Sequence, residues 1–315
     1  MNGNNPKVLV LGGGGFIGSN LCEGLLAAGH KVRVFEHPHV HSQCTPAVFN
    51  QIEWFEGDFT NPVEVDAALD GCDIVFHLIS TTLPRNSNEN PSYDIESNVV
   101  ATIKMLESAR RRGLHKVIFA SSGGTVYGIP SQLPIPESHP TEPIVSYGIT
   151  KLAIEKYLHL FYTLHGLDCC ILRLANPYGQ GQRVVASQGA VAVFLHKALR
   201  DETIEIWGDG SVTRDYVYIS DVVLAMISAM EPTGPHRIFN VGSGTGLSLN
   251  ELLEKIEQVL GRSVRRSYHP GRQFDVPVNI LDIERAKQFL SWQPKTSIVD
   301  GLRKTLSSLK TNYRI

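Results

Sequence analysis

The stretch Lys7-Val8-Leu9-Val10-Leu11-Gly12-Gly13-Gly14-Gly15-Phe16-Ile17-Gly18 decides the reading of this chain. Five residues rich in valine and leucine stop at four consecutive glycines. From Ser19 to Ala28 the pattern is helical, and Gly29 is a good helix stop. Lys31 to Phe35 is a second apolar strand. Strand, glycine turn, helix and strand make a βαβ unit of about 30 residues. Both strands are nearly all apolar, as expected of parallel strands covered on both faces. Gly12, Gly15 and Gly18 form a GxxGxxG. Glycine allows the tight turn, lets the backbone approach a pyrophosphate and lets the helix pack close to the strand. The helix N-terminus offers amides and a positive dipole end to the phosphates. Gly12, Gly15, Phe16, Ile17 and Gly18 are therefore predicted to hold a dinucleotide. Glu36 ends the second strand. There it can accept hydrogen bonds from the adenosine ribose hydroxyls and repel a 2′-phosphate, which favours NAD over NADP. Alternation along the strand points Arg33 away from Glu36.

The alternation of strand and helix continues outward from this unit. Ile52 to Glu56, Asp73 to Leu78, Lys116 to Ala120 and Asp168 to Leu174 read as strands. Pro62 to Leu69, Asn98 to Arg111 and Ser146 to His165 read as helices. Repeated βα units predict an α/β fold, a Rossmann-like doubly wound parallel sheet. After Asn176-Pro177 the texture changes to short elements between loops rich in Arg, Asp and Gly. Ser248-Leu249-Asn250-Glu251 is a capping box that opens a helix running to about Leu260. The expected division is an NAD-binding domain over 1–176 and a smaller C-terminal α/β domain over 177–315. The smaller domain sits over the C-terminal edge of the sheet and binds substrate, and part of its stretch returns to the sheet.

Bulk properties narrow the function. The chain has 315 residues, 42% apolar and 19% charged, ordinary for a globular protein with a substantial core. Net charge is −2 with both signs interspersed, which argues against a nucleic-acid surface. No apolar run approaches a membrane span, and the N-terminus lacks the pattern of a signal peptide. The five cysteines form no CxxC and no metal-ligand spacing. An odd count in core-like settings fits reduced thiols and a cytoplasmic location. His37, His39 and His41 alternate in a polar loop without a cysteine or carboxylate partner, so no metal is expected.

Of the ten tyrosines, Tyr147 has a lysine, Lys151, four residues later on a helix, so both lie on one face. An ammonium beside a phenol favours phenolate, so Lys151 is expected to lower the Tyr147 pKa and make it a proton acceptor.

These motifs occur in order with Ser121-Ser122, Val126-Tyr127-Gly128 and Arg173-xx-Asn176-Pro177-Tyr178-Gly179. Further along come Gly208-Asp209-Gly210, Arg214-Asp215-Tyr216, Ser220-Asp221-Val222, Asn240-Val241-Gly242 and Arg272-Gln273-Phe274-Asp275. Together they resemble an extended short-chain dehydrogenase/reductase of the nucleotide-sugar type, similar to the UDP-glucose 4-epimerases, over nearly the whole chain. The resemblance implies that Asp58 and Phe59 lie along the adenine. It implies that Leu78, Ile79 and Ser80 line the cofactor, with Asn98 close by. Tyr147 would be the acid/base and Lys151 would hold the nicotinamide ribose. Asn176 would hydrogen-bond the nucleotide sugar, a UDP-sugar. Arg214 and Arg272 would neutralise the diphosphate, and Asp275 would bind a ribose hydroxyl. The resemblance also implies a homodimer through the Asn98 and Tyr147 helices. The sequence departs from the family where the serine or threonine of the triad is expected, because that position is Gly123. Ser122, Thr125 or a water would have to stand in. A second departure is Thr82, where epimerases often have a lysine.

The resemblance also bears on the reaction. A 4,6-dehydratase needs an Asp-Glu pair just after the triad hydroxyl, where this chain has Gly124 and Thr125. The related decarboxylases place a glutamate at the second of these positions. A 4-epimerase needs no additional acid. The expected activity is therefore NAD-dependent nucleotide-sugar 4-epimerisation by transient C4 oxidation. A 4-ketosugar reductase and a non-catalytic NAD-binding sensor stand as alternatives.

Overall fold

In chain order the elements are β1 (Lys7–Leu11), α1 (Phe16–Ala27), β2 (Lys31–Glu36), α2 (Pro46–Phe49), β3 (Glu53–Glu56), α3 (Pro62–Leu69) and β4 (Ile74–His77). Then come α4 (Pro91–Asp94), a π-helical turn (Ile95–Val100), α5 (Ala101–Arg111), β5 (Lys116–Ser122), α6 (Ser146–His165), β6 (Asp168–Leu174) and β7 (Asn176–Tyr178). The remainder is α7 (Ala190–Leu199), β8 (Ile204–Trp207), β9 (Thr213–Tyr218), α8 (Ile219–Ser228), β10 (Ile238–Val241), β11 (Gly246–Ser248), α9 (Leu249–Leu260), β12 (Arg266–His269), β13 (Val278–Asn279), α10 (Glu284–Phe289) and α11 (Ile298–Tyr313). This computed structural model describes residues 5–84, 86–184, 189–271 and 276–313.

The main sheet has seven strands in the order β10-β6-β5-β4-β1-β2-β3, every pair parallel. Strand order reverses at β1, between β2 and β4. In such sheets the crevice beyond the carboxyl ends of the strands at the switch point is the ligand site. The reason the sheet is covered on both faces is visible in β1 alone. Val8 and Val10 pack with Leu21 and Leu25 of α1 and Val223 of α8. Leu9 and Leu11 pack on the other side with Met105 of α5 and Leu158 of α6.

The C-terminal half contributes to both layers. β10 pairs with β6 and so extends the main sheet. β7, β11 and β13 all pair with β9 in a small sheet that begins two residues past the end of β6. The capping box at Ser248 forms as the sequence predicts, with Glu251 bonded back to the Ser248 amide.

One helix differs from its sequence reading. The segment predicted to begin at Asn98 begins at Pro91 and passes through the π turn before α5. π turns insert an extra residue and recur at functional sites. Here Asp94, Ser97 and Asn98 are all buried, so the segment buries polar side chains rather than an apolar stripe.

Candidate active site

The glycine turn forms the floor of the switch-point crevice. Gly12 has φ +86°, a conformation that suits glycine, and its amide bonds the Phe35 carbonyl at 2.9 Å. A Cβ on Gly12 would also press on Ile79, with Cγ1 at 3.2 Å. A Cβ on Gly18 would fall on the Gly12 carbonyl oxygen, so α1 can approach the turn only with glycine there. Gly15 caps α1, and the first turn of α1 carries no acidic residue to neutralise its positive end. Phe16 and Ile17 form that first turn. Glu36 lies beside the turn, and its carboxylate accepts from the Gly14 amide at 2.9 Å and the His37 amide at 3.1 Å. Burial raises its pKa, and these two amides oppose the rise. An open glycine cradle, an unneutralised helix end and an acid at the ribose position fit a dinucleotide.

Leu78 continues from β4, and its amide bonds the Leu11 carbonyl at 3.0 Å. Leu78, Ile79 and Ser80 therefore face the glycine turn across the crevice. Asp58 lies beyond β3 and holds its own loop through the Thr60 amide and hydroxyl, both at 2.8 Å. The Phe59 ring is buried in the core against His77, with centroids 5.0 Å apart. What Phe59 can offer a cofactor is therefore backbone. His77 is also buried, and burial with the nearby Lys151 charge pushes its pKa down to about 3, so it is neutral.

Tyr147 and Lys151 open α6 at the other wall. Lys151 is buried, and its Nζ donates to the Ala120 carbonyl at 3.0 Å. It lies over the Phe119 ring at 4.7 Å and the Tyr147 ring at 5.6 Å from the centroids. One of its three protons serves Ala120, which leaves donors for a ligand hydroxyl. Burial lowers its pKa to about 8, while Asp94 and Glu155 push the other way. Tyr147 differs from expectation. Its pKa is not lowered but pushed up to about 12, first by desolvation and then by the Asp94 charge. The Ser80 hydroxyl meets the Tyr147 hydroxyl and opposes the rise. The physical reason is that desolvation of the phenolate and the Asp94 charge together outweigh what opposes them.

The gap at Gly123 also acquires a cause. A Cβ there would meet Leu281 Cδ1 at 2.5 Å and the Arg173 carbonyl at 3.2 Å. The Gly123 carbonyl accepts from Asn279 Nδ2 at 3.0 Å, and its amide bonds the Leu174 carbonyl at 2.8 Å. Ser122 ends β5, and its carbonyl takes the amides of Thr125 and Val126 in a turn. Thr125 Oγ1 is buried without a hydrogen-bond partner. A Cβ on Gly148 would meet the Thr125 carbonyl at 2.8 Å, so this turn packs on the start of α6.

The small sheet carries two of the predicted substrate residues, Asn176 on β7 and Arg214 on β9. Asn176 Nδ2 donates to the Asp215 carbonyl at 3.0 Å. Arg214 Nη1 donates to the Thr213 and Val276 carbonyls at 2.9 and 2.7 Å. Arg272 and Asp275 lie outside the described residues. The Thr82 position is also explained. Its hydroxyl is buried and donates to Asp94 at 2.6 Å, so it faces into the protein.

Several residues of the site escaped sequence reasoning. Ser87 and Asn88 accept the Tyr147 and Ser146 amides at 3.0 and 2.9 Å and so cap α6 from a distant loop. Glu155 continues the Tyr147–Lys151 face by four residues and grips Arg173 of β6 and Ser121 of β5. The spacing of Tyr147, Lys151 and Glu155 was the available signal. Asn98 was expected near the cofactor. Its amide is engaged with Thr81, whose amide donates to Oδ1 at 3.0 Å.

Among the described residues no group of three or more His, Cys, Asp or Glu side chains could hold a metal ion, and no helix is long and apolar enough to cross a membrane.

Comparison with known proteins agrees with this geometry. Residues 8–242 match the NAD dependent epimerase/dehydratase family. A UDP-glucose 4-epimerase of Mycolicibacterium smegmatis is 37% identical over 312 residues, covering 95% of this chain and 97% of that protein. A dTDP-4-dehydro-6-deoxyglucose reductase of Escherichia coli is 33% identical over 316 residues, covering 98% and 99%. The crystal structure of a UDP-glucose 4-epimerase with UDP-glucose from Thermotoga maritima superposes with a TM-score of 0.92 at 34% identity, covering 98% of this chain and 99% of that one. This chain belongs to the NAD dependent epimerase/dehydratase family, as an extended short-chain dehydrogenase/reductase of the nucleotide-sugar epimerase type.

Proposed function

We propose that the protein is a UDP-hexose 4-epimerase that works by transient oxidation at C4. The observation that carries this reading is a site with Tyr147 and Lys151 on one wall and no second carboxylic acid at Gly124 or Thr125. A dehydratase needs such an acid, and an epimerase does not. Residues 1–176 hold the cofactor and 177–315 hold the nucleotide sugar. Gly12, Gly15, Phe16, Ile17 and Gly18 would cradle the diphosphate of NAD, Glu36 would bind the adenosine ribose and Lys151 would donate to the nicotinamide ribose. Bound there, NAD would supply the reversible hydride acceptance that oxidation at C4 needs. Asp58, Phe59, Leu78, Ile79, Ser80 and Asn98 complete that wall. Tyr147 takes the proton of the C4 hydroxyl and returns it after the ketosugar has turned over. Ser122 or Thr125 supplies the hydroxyl that Gly123 lacks, and the unpartnered Thr125 Oγ1 has a hydrogen bond to offer. Asn176 would hold the sugar nucleotide, Arg214 and Arg272 would neutralise the diphosphate, and Asp275 would bind a ribose hydroxyl.

The test is whether the purified protein keeps NAD through dialysis and interconverts UDP-glucose and UDP-galactose, or their N-acetyl or uronate forms, without added cofactor. Turnover confined to a 4-ketosugar with added NADH or NADPH overturns this reading. It would favour the reductase, which the relative from Escherichia coli supports.

The active form is a homodimer joined through the π turn, α5 and α6. Apolar side chains stand open on α6, with Ile149 52% and Leu164 63% exposed and Tyr157, Leu160 and Tyr162 beside them. Sedimentation is expected to give twice the chain mass, and Leu160→Lys to give the single-chain mass.

A further inference from the structure

A buried carboxylate lies behind Tyr147, and no part of the chemistry above requires it. Asp94 is wholly buried at the end of α4. Its Oδ2 accepts from Ser146 Oγ at 2.7 Å. Its Oδ1 accepts from Thr82 Oγ1 at 2.6 Å and Asn98 Nδ2 at 2.9 Å. All three partners are neutral. A buried carboxylate is costly unless it is hydrogen-bonded, and Asp94 is held by three donors drawn from three separate segments.

The connections suggest what it is for. Ser146 immediately precedes Tyr147 on α6. Thr82 accepts the Ser80 hydroxyl on its carbonyl at 3.1 Å, and Ser80 is the hydroxyl that meets Tyr147. The Ser80–Thr82 segment and the first turn of α6 are therefore tethered to one carboxylate. Within the π turn Asn98 reaches back four residues to Asp94, to both the backbone carbonyl at 3.0 Å and the carboxylate at 2.9 Å.

We propose that Asp94 is a positioning residue for proton transfer: through Thr82 and Ser146 it ties the Ser80–Thr82 segment to the first turn of α6, the turn that carries Tyr147, and it places a carboxylate directly behind that turn. This rests on Tyr147 being the acid/base. Lys151 lies beside the Tyr147 ring, Glu155 stands one turn further along α6 paired with Arg173 of β6, and His77 of β4 feels the Lys151 charge. His77 is neutral. The Asp94 charge opposes the Tyr147 phenolate and favours the Lys151 ammonium, so it raises both pKa values.

The sign of the test follows. Asp94→Asn keeps an acceptor for Ser146 or Thr82 and removes the charge. Both limbs of the pH profile of kcat are expected to move to lower pH, the acid limb by about 0.5 pH unit or more, as for loss of a near charge. Asp94→Ala also removes the tether. Its kcat is expected to fall by roughly 10- to 100-fold, with KM for the UDP-sugar within about threefold, the pattern of a lost transition-state interaction. NAD retention and the thermal midpoint report whether each variant is folded, and if Asp94→Ala is not, the Asp94→Asn profile decides alone. An Asp94→Asn profile that overlays the parent's overturns the proposal, as does an Asp94→Ala loss confined to KM. Tyr147→Phe in the same assay separates the two layers. If it is inactive while Asp94→Asn matches the parent, only the Asp94 proposal falls. If it is active, the role of Tyr147 falls as well.

Discussion

Tyr147→Phe is expected to lower kcat by about 100- to 10,000-fold, the usual range for losing a positioned acid/base. The substitution removes one oxygen and keeps the ring, so NAD retention and the KM for the UDP-sugar should change little. The structure also shows what the site must overcome. The phenol sits at about 12, held there by burial and the Asp94 charge. A base at neutral pH needs that value to fall. The groups placed to lower it are the Ser80 hydroxyl and the Lys151 ammonium, aided by a positive nicotinamide when NAD is bound. Lys151, at about 8, is still mostly protonated at pH 7 and can do this. The expected parent profile therefore rises with pH on its acid side as Tyr147 ionises, and this limb disappears in Tyr147→Phe. Initial rates of epimerisation between pH 5 and 9 measure both. A variant within threefold of the parent across that range would sink the assignment.

Local physics made the nucleotide half legible. The strand Lys7–Leu11, the glycine turn and the helix after it are adjacent in sequence, and each announces itself by apolar run, glycine or period. Glu36 could be placed because strand length alone puts it at the crevice. The small sheet was harder, since β7, β11 and β13 are two or three residues long and carry no readable period. The polar machinery behind Tyr147 was not legible at all. Thr82, Asp94, Asn98 and Ser146 come from three separate segments, and a serine or threonine meeting a carboxylate has no sequence signature. Gly123 shows the same limit from the other side. Read along the chain it is a missing hydroxyl. In the structure a Cβ there would press on the side chain of Leu281, which arrives from the far end of the chain. The Tyr147 pKa was misjudged for a related reason. The lysine four residues on was visible, and the burial and the second carboxylate were not.

Glu155→Ala is expected to cost about 3–5 kcal/mol of stability, the range for removing one partner of a buried ion pair. Glu155 and Arg173 have side chains 1% and 3% exposed. Arg173 donates from Nε at 3.0 Å and from Nη2 at 2.6 Å, and its guanidinium lies 4.8 Å from the Tyr127 ring centroid. Arginine cannot shed its charge, so without Glu155 it stays buried and unpaired. Ser121, which donates to the same carboxylate, is orphaned as well. The pair joins α6 to β5 and β6 one turn beyond Lys151, so its loss also loosens the helix that carries the site. Glu155→Gln should fall between, because it keeps the volume and a partner for Ser121 but not the charge. Replacing both residues by methionine removes the unpaired guanidinium, and such exchanges of buried pairs are often neutral. The double variant should therefore be more stable than Glu155→Ala, by urea denaturation with NAD absent. If Glu155→Ala instead shifts the unfolding free energy by less than about 1 kcal/mol, the value of an exposed pair, then water reaches Arg173 and the wall behind Lys151 is not the dry one on which its lowered pKa depends.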